Sequence, residues 1–149
     1  MKNHVTVTFD AISANEAFAR MVVTAFLAGG NATLEEITDV KTAVSEAVTN
    51  AIIHGYENEV HNICIRCRTE DKTLYLEISD EGKGIEDVQQ AMEPMFTTKP
   101  ELDRSGMGFS FMEAFMDHLE VVSAPGKGTT VKMEKTIGKG RRLWTTQSL

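Results

Sequence analysis

A chain of 149 residues with 42% hydrophobic side chains is sized for one domain that buries its own core without disulfides or a structural metal. Its net charge of -7 argues against direct nucleic-acid binding, which needs clustered Lys and Arg against phosphates, and fits a basic protein partner better. The apolar runs are too short and too broken by charge to span a membrane, and the N-terminus lacks the basic-then-apolar pattern of an export signal, so a cytoplasmic protein is expected.

Val5, Val7 and Phe9 alternate with polar residues and predict an opening half-buried strand. Ser13 and Glu16 have the S-x-x-E spacing of a capping box, and Phe18, Met21, Val22, Ala25 and Phe26 recur at helical spacing until Gly29-Gly30. Thr33 and Glu36 repeat that cap. Ile37, Val40, Val44, Ala47, Val48 and Ala51 then form the apolar stripe of a second helix that ends near Gly55. Ile63, Ile65 and Cys67, a polar turn at Glu70-Asp71-Lys72, and Leu74, Leu76 and Ile78 predict an antiparallel hairpin.

From Glu81 to Gly108 the periodicity gives way to Gly, Pro, Thr and charge, apart from a helical turn around Val88 to Met92; a loop of this length in a small domain is usually a lid. A helix over Phe109 to Leu119 follows. Strands over Leu119 to Val122 and Thr129 to Met133 are joined by the turn Pro125-Gly126-Lys127-Gly128. Hairpins and helices in this order predict a two-layer α/β sandwich, with helices on one face of a mixed, mostly antiparallel sheet. The expected organisation is one domain over residues 1–137 and a basic, flexible tail over 138–149 that contains Lys139, Arg141, Arg142 and Trp144.

Cys64 and Cys67 have the spacing of half a zinc knuckle, but no second pair completes four ligands. Residues three apart on a strand point to opposite faces, so the two thiols are expected to be unrelated.

The residues with chemical potential fall into four places. Glu46 and Asn50, one turn apart, share a side of the second helix, and His54 continues the row; alone, they describe a solvated helix face. Asp80 follows Leu74, Leu76 and Ile78 on one strand face, which puts a carboxylate against the apolar side of the sheet, where it needs a donor. Gly82 and Gly84 after it allow a close backbone approach, as they also would in an ordinary turn, and Lys83 between them is either a phosphate contact or solvated. Arg104-Ser105-Gly106-Met107-Gly108 enters a helix, where free N–H groups suit an anion, and Thr97, Thr98 and Lys99 add hydroxyls and charge. Thr129 shares a face with Val131 and Met133, so its hydroxyl needs an inward partner: Asp80, a ligand, or a plain cross-strand hydrogen bond with no ligand.

In order and spacing these pieces resemble the N, G1, G2 and terminal-threonine motifs of the GHKL ATPases, the superfamily of gyrases, heat-shock chaperones, histidine kinases and mismatch-repair proteins, from Glu46 to Thr129. Within it, KTAVSEAVTNAIIHGY (Lys41 to Tyr56), FTTKPELDRSGMGF (Phe96 to Phe109) and GKGTTV (Gly126 to Val131) resemble the anti-sigma-F factors, the stage II sporulation AB family. The resemblance implies an ATP-binding fold that takes ATP or ADP and Mg²⁺. Asp80, helped by Thr129, would receive the adenine amino group and Asn50 would ligate the metal. Gly106, Met107 and Gly108, with Arg104, Ser105, Thr97 and Thr98, would hold the phosphates. Glu46 would act as base toward a serine of an anti-anti-sigma protein.

The same resemblance implies binding and inhibition of the sigma factor sigma-F, and a homodimer. The absence of a phosphoacceptor helix pair before the ATP site and of a second domain after it points within the superfamily to a stand-alone kinase. Two alternatives keep the architecture: a kinase serving a stress-response sigma factor, and a nucleotide-gated sigma-binding module without significant phosphoryl transfer.

Overall fold

The computed structural model describes residues 2–55, 61–93 and 108–139. Five strands, β1 (Asn3–Asp10), β2 (Asn62–Glu70), β3 (Thr73–Asp80), β4 (His118–Ser123) and β5 (Thr129–Thr136), form one sheet in the order β1-β2-β3-β5-β4. All four pairings are antiparallel, so the sheet has no parallel component among the described residues, where a mixed one was expected. The cause is connectivity: β2–β3 and β4–β5 are hairpins, and β5 enters beside β3 with Asp80 opposite Thr129.

Helices α1 (Ala14–Ala28), α2 (Leu34–Asn50), α3 (Val88–Ala91) and α4 (Gly108–Phe115) complete the fold, and α2 continues into a π turn over Ala51–Gly55. Strand alternation sends Ile63, Ile65, Leu74, Leu76, Ile78 and Met133 to one face of the sheet. There they share a core with Ala19, Val23 and Leu27 of α1, Val40, Val44 and Val48 of α2, and Met112 of α4. This is the expected two-layer α/β sandwich. Each fully buried large aliphatic, such as Leu27 or Leu76, contributes about 2 kcal/mol relative to exposure.

The second predicted cap forms in full. Thr33 Oγ1 accepts from the Glu36 amide at 3.1 Å while Glu36 Oε1 accepts from the Thr33 amide at 2.9 Å. Glu36 is only 5% exposed, and its carboxylate also accepts from the amides of Gly138 at 2.8 Å and Lys139 at 3.1 Å. The first two residues assigned to the tail are therefore pinned to the start of α2. The first predicted cap does not form. Ser13 adopts helical dihedrals, which turn its side chain away from the free amides, and Glu16 instead accepts from Ser45 Oγ of α2 at 2.6 Å and pairs with Arg20 at 3.1 Å.

Helix α4 stops at Phe115, earlier than the apolar spacing predicts. Lys135 Nζ donates to the Phe115 carbonyl at 2.7 Å, and Asp117 accepts from the Thr136 amide at 2.7 Å, which turns the chain into β4 at His118. The two cysteines lie as expected: Cys67 is buried in the core, whereas Cys64 is half-buried on the other face, and neither is in a disulfide. No helix among the described residues is long and apolar enough to cross a membrane.

Candidate functional site

A cavity of about 520 Å³ opens where α2, the end of β3, the loop before α3, the start of α4 and the start of β5 meet. Ala47, Ala51, Ile78, Ile85, Phe109 and Val131 give it apolar walls, and Asn50, His54, Asp80, Lys83 and Thr129 add polar groups. A slot with apolar sides and a few convergent polar atoms suits a flat heterocycle with a polar edge.

Asp80 ends β3, and the core-facing register of that strand carries its carboxylate to the cavity wall. Loss of solvation raises its pKa above the ordinary carboxylate value, while the backbone amides of Gly82 and Thr129 draw it back. The Gly82 amide donates to Asp80 Oδ1 at 2.8 Å. A β-carbon on Gly55 would lie 3.1 Å from that same oxygen, so the π turn brings bare backbone against the carboxylate. The turn after Asp80 is packed as closely: the Lys83 amide donates to the Gly55 carbonyl at 2.9 Å, and a β-carbon on Gly82 would collide with that carbonyl oxygen. Gly84 has φ +78° and faces the Ala124 carbonyl, so both conformation and space require glycine there.

Glu46 and Asn50 are not on a purely solvated face. The start of α4 comes down on them, and a β-carbon on Gly108 would lie 3.0 Å from Asn50 Nδ2 and 3.4 Å from Glu46 Oε1. Gly108, the last residue of the predicted anion loop, thus brings a helix N-terminus to the acid–amide pair. Thr97, Thr98, Arg104, Ser105, Gly106 and Met107 lie outside the described residues, as does Tyr56.

Thr129 lines the cavity, but its hydroxyl bonds to Ser123 Oγ at 2.8 Å. Asp80 meets the backbone of Thr129 and not its hydroxyl partner. Sequence reasoning missed Ser123, although the alternation Leu119, Val121, Ser123 sends it to the same face as Thr129. It also gave Gly55 only the role of a helix stop. Lys83, left open between phosphate contact and solvated side chain, lines the cavity.

Residues 9–135 match the model of the histidine kinase-like ATPase domain. The anti-sigma F factor of Caldanaerobacter subterraneus subsp. tengcongensis is 57% identical over 93% of this chain and 97% of its own. Those of Oceanobacillus iheyensis and Bacillus subtilis are each 50% identical, over 97% and 96% of this chain and 99% of their own. The chain belongs to the anti-sigma F factor family. Among solved structures, the RsbU and RsbW domains of Rv1364c from Mycobacterium tuberculosis superpose with a TM-score of 0.67 at 21% identity, over 91% of this chain and 32% of that one, which is a likeness of fold. The matched stretch runs from the end of β1 to β5 and contains Glu46, Asn50, Asp80 and Thr129.

Proposed function

We propose that the chain is a cytoplasmic, Mg-dependent protein-serine kinase that binds and inhibits sigma-F and phosphorylates a serine of an anti-anti-sigma protein. The observation that carries the catalytic half is the cavity that joins Asp80, a carboxylate among apolar walls, to Asn50, with Glu46 beside Asn50 at the start of α4. Its two ends differ in chemistry. The Asp80 end accepts hydrogen bonds inside an apolar slot, which suits the adenine amino group. The Asn50 end combines an amide oxygen with a helix N-terminus, which suits phosphate oxygens.

Among the described residues, no cluster of three or more His, Cys, Asp or Glu could hold a metal ion. Asn50 offers one neutral oxygen, a donor that fits Mg²⁺ when phosphates complete its octahedral shell. When bound, the ion would neutralise charge on the phosphates. Glu46, one turn before Asn50, takes the proton of the incoming serine hydroxyl as general base. Arg104, Thr97, Thr98 and the amides of Ser105, Gly106 and Met107 complete the phosphate contacts in this reading, and positioning supplies most of the remaining acceleration.

The sigma-binding half rests on the relatives, which are anti-sigma F factors at 50% identity and above over nearly the whole chain. The proposal of a homodimer rests on the same kinship. The net charge of -7 supports fast encounter with a basic sigma segment. Incubation with Mg-ATP, sigma-F and candidate anti-anti-sigma proteins tests both halves. Phosphoserine on the sporulation partner together with sigma-F capture is the expected result; transfer to a stress-response partner alone, or capture without transfer, would contradict it.

A further inference from the structure

We propose that Ser123 sets the nucleobase specificity of this cavity by fixing the direction of the Thr129 hydroxyl proton; the inference rests on the reading of the cavity as an ATP site. Ser123 closes β4 directly opposite Thr129, and it is not among the residues that line the cavity. It stands behind the lining residue and acts through it.

The proton count decides the direction. A serine hydroxyl has one hydrogen to donate and two lone pairs to accept with. Among the described residues, Ser123 Oγ has three neighbours at hydrogen-bonding distance: the Ile85 amide at 2.8 Å, the Gly128 carbonyl oxygen at 2.8 Å and Thr129 Oγ1 at 2.8 Å. The Ile85 amide can only donate, so it takes one lone pair of Ser123. The Gly128 carbonyl can only accept, so it takes the Ser123 proton; were that proton turned to Thr129, two oxygen lone pairs would face each other at 2.8 Å. One lone pair of Ser123 is left, and Thr129 must fill it by donating.

Thr129 therefore spends its proton on Ser123 and presents only lone pairs to the cavity. Ionised Asp80 likewise only accepts. The polar edge of the cavity is thus built from two acceptors, and a matching base must bring two hydrogens, directly or through a water that donates. The amino group of adenine carries two. The otherwise similar hypoxanthine of inosine carries a carbonyl oxygen in that place, with a single N1–H beside it, so it leaves one acceptor unmet and sets its own lone pairs against another. A site built to pair with hydrogens that the rival base lacks discriminates strongly, because its acceptors are then left desolvated and unpaired.

Calorimetric or fluorescence titration of ATP and ITP against the full chain and its Ser123 variants tests this. The wild-type chain is expected to prefer ATP. Ser123→Ala releases the Thr129 proton to rotate toward the cavity, so it weakens ATP, tightens ITP relative to ATP and narrows the preference roughly tenfold. Ser123→Thr keeps the hydroxyl and should keep the preference. Ser123→Cys, similar in size but a weak hydrogen-bonding group, supplies the same narrowing should the alanine variant not fold.

If Ser123 only anchored the loop at Ile85, ATP and ITP would weaken together and their ratio would not move; that outcome overturns the inference and leaves the ATP site standing. A wild-type chain that binds neither nucleotide would overturn the ATP site itself, and this inference with it.

Discussion

Gly82 lies directly on the carbonyl of Gly55, with no room for a β-carbon between them. The contact welds the turn after β3 to the π turn that ends α2, and the Lys83 amide hydrogen bond to the same carbonyl at 2.9 Å reinforces it. It also fixes the Asp80 carboxylate, because the Gly82 amide donates to it. A π turn inserted at the end of an α-helix shifts the chain by a fraction of a turn, and such insertions concentrate at functional sites.

Gly82→Ala is expected to part these two turns. Overpacking against backbone, which cannot swing aside as a side chain can, costs about 1–3 kcal/mol of stability. ATP affinity should fall by at least about tenfold as Asp80 loses its aim. Chemical denaturation and nucleotide titration of the same sample check both effects.

Glu46 and Asn50 predict a separation of binding from chemistry. In Glu46→Gln the side chain keeps its size beside Gly108 but cannot take a proton, so ATP affinity should stay within about threefold while serine phosphorylation drops by about 10²–10⁴-fold. Single-turnover assays with saturating Mg-ATP check this, and a normal rate would remove Glu46 from the role of base.

The buried carboxylate of Glu36 predicts a coupling between the end of the described chain and the start of α2. Glu36→Ala leaves the amides of Thr33, Gly138 and Lys139 without their acceptor and should cost about 3 kcal/mol. Glu36→Gln keeps an acceptor oxygen and should cost about half as much. Hydrogen exchange should accelerate at both Gly138 and Lys139 in Glu36→Ala, and at only one of them in Glu36→Gln, because the two amides bond to different oxygens of the carboxylate.

The two thiols predict a count of one. Burial pushes the Cys67 pKa up to about 12, so at pH 8 that sulfur is almost wholly protonated and enclosed, while Cys64 stands half-exposed on the opposite face. A thiol-reactive dye at pH 8 should label the native chain once, at Cys64, and twice after denaturation. Mass spectrometry of the labelled peptides reads the result.

Much of this was legible in the residues because two periodicities dominate the chain. The stripe from Ile37 to Ala51 and the alternation from Ile63 to Ile78 specify α2 and the β2–β3 hairpin, and the same alternation puts Asp80 on the cavity side of the sheet. Local chemistry was less reliable where a distant partner competed. The Ser13–Glu16 spacing satisfied the rule for a cap, yet Glu16 found Ser45, 29 positions away, and the cap was not formed. Thr129 was read correctly as facing inward and in need of a partner, but that partner came from the register of β4 against β5, which no local pattern contains. The π turn was invisible for a similar reason: its backbone is set by the fit of Gly55 against Asp80 and Gly82, a contact between segments.

Asp80 carries the central claim, and its electrostatics allow a sharp test. Desolvation raises its folded-state pKa above the unfolded value, so the folded chain holds this proton to higher pH than the unfolded chain does. The stability linked to that proton is present below the unfolded pKa and lost as pH rises through the folded pKa, which makes the ionised carboxylate at neutral pH a cost the site bears for function. Asp80→Asn removes the charge while keeping the shape. Calorimetric titration of Mg-ATP into Asp80→Asn, with a thermal melt of the same unliganded sample, measures the claim most directly. Abolished ATP binding in a variant that melts no lower than the parent is the predicted result; near-parental ATP affinity would contradict the assignment of this carboxylate to the base.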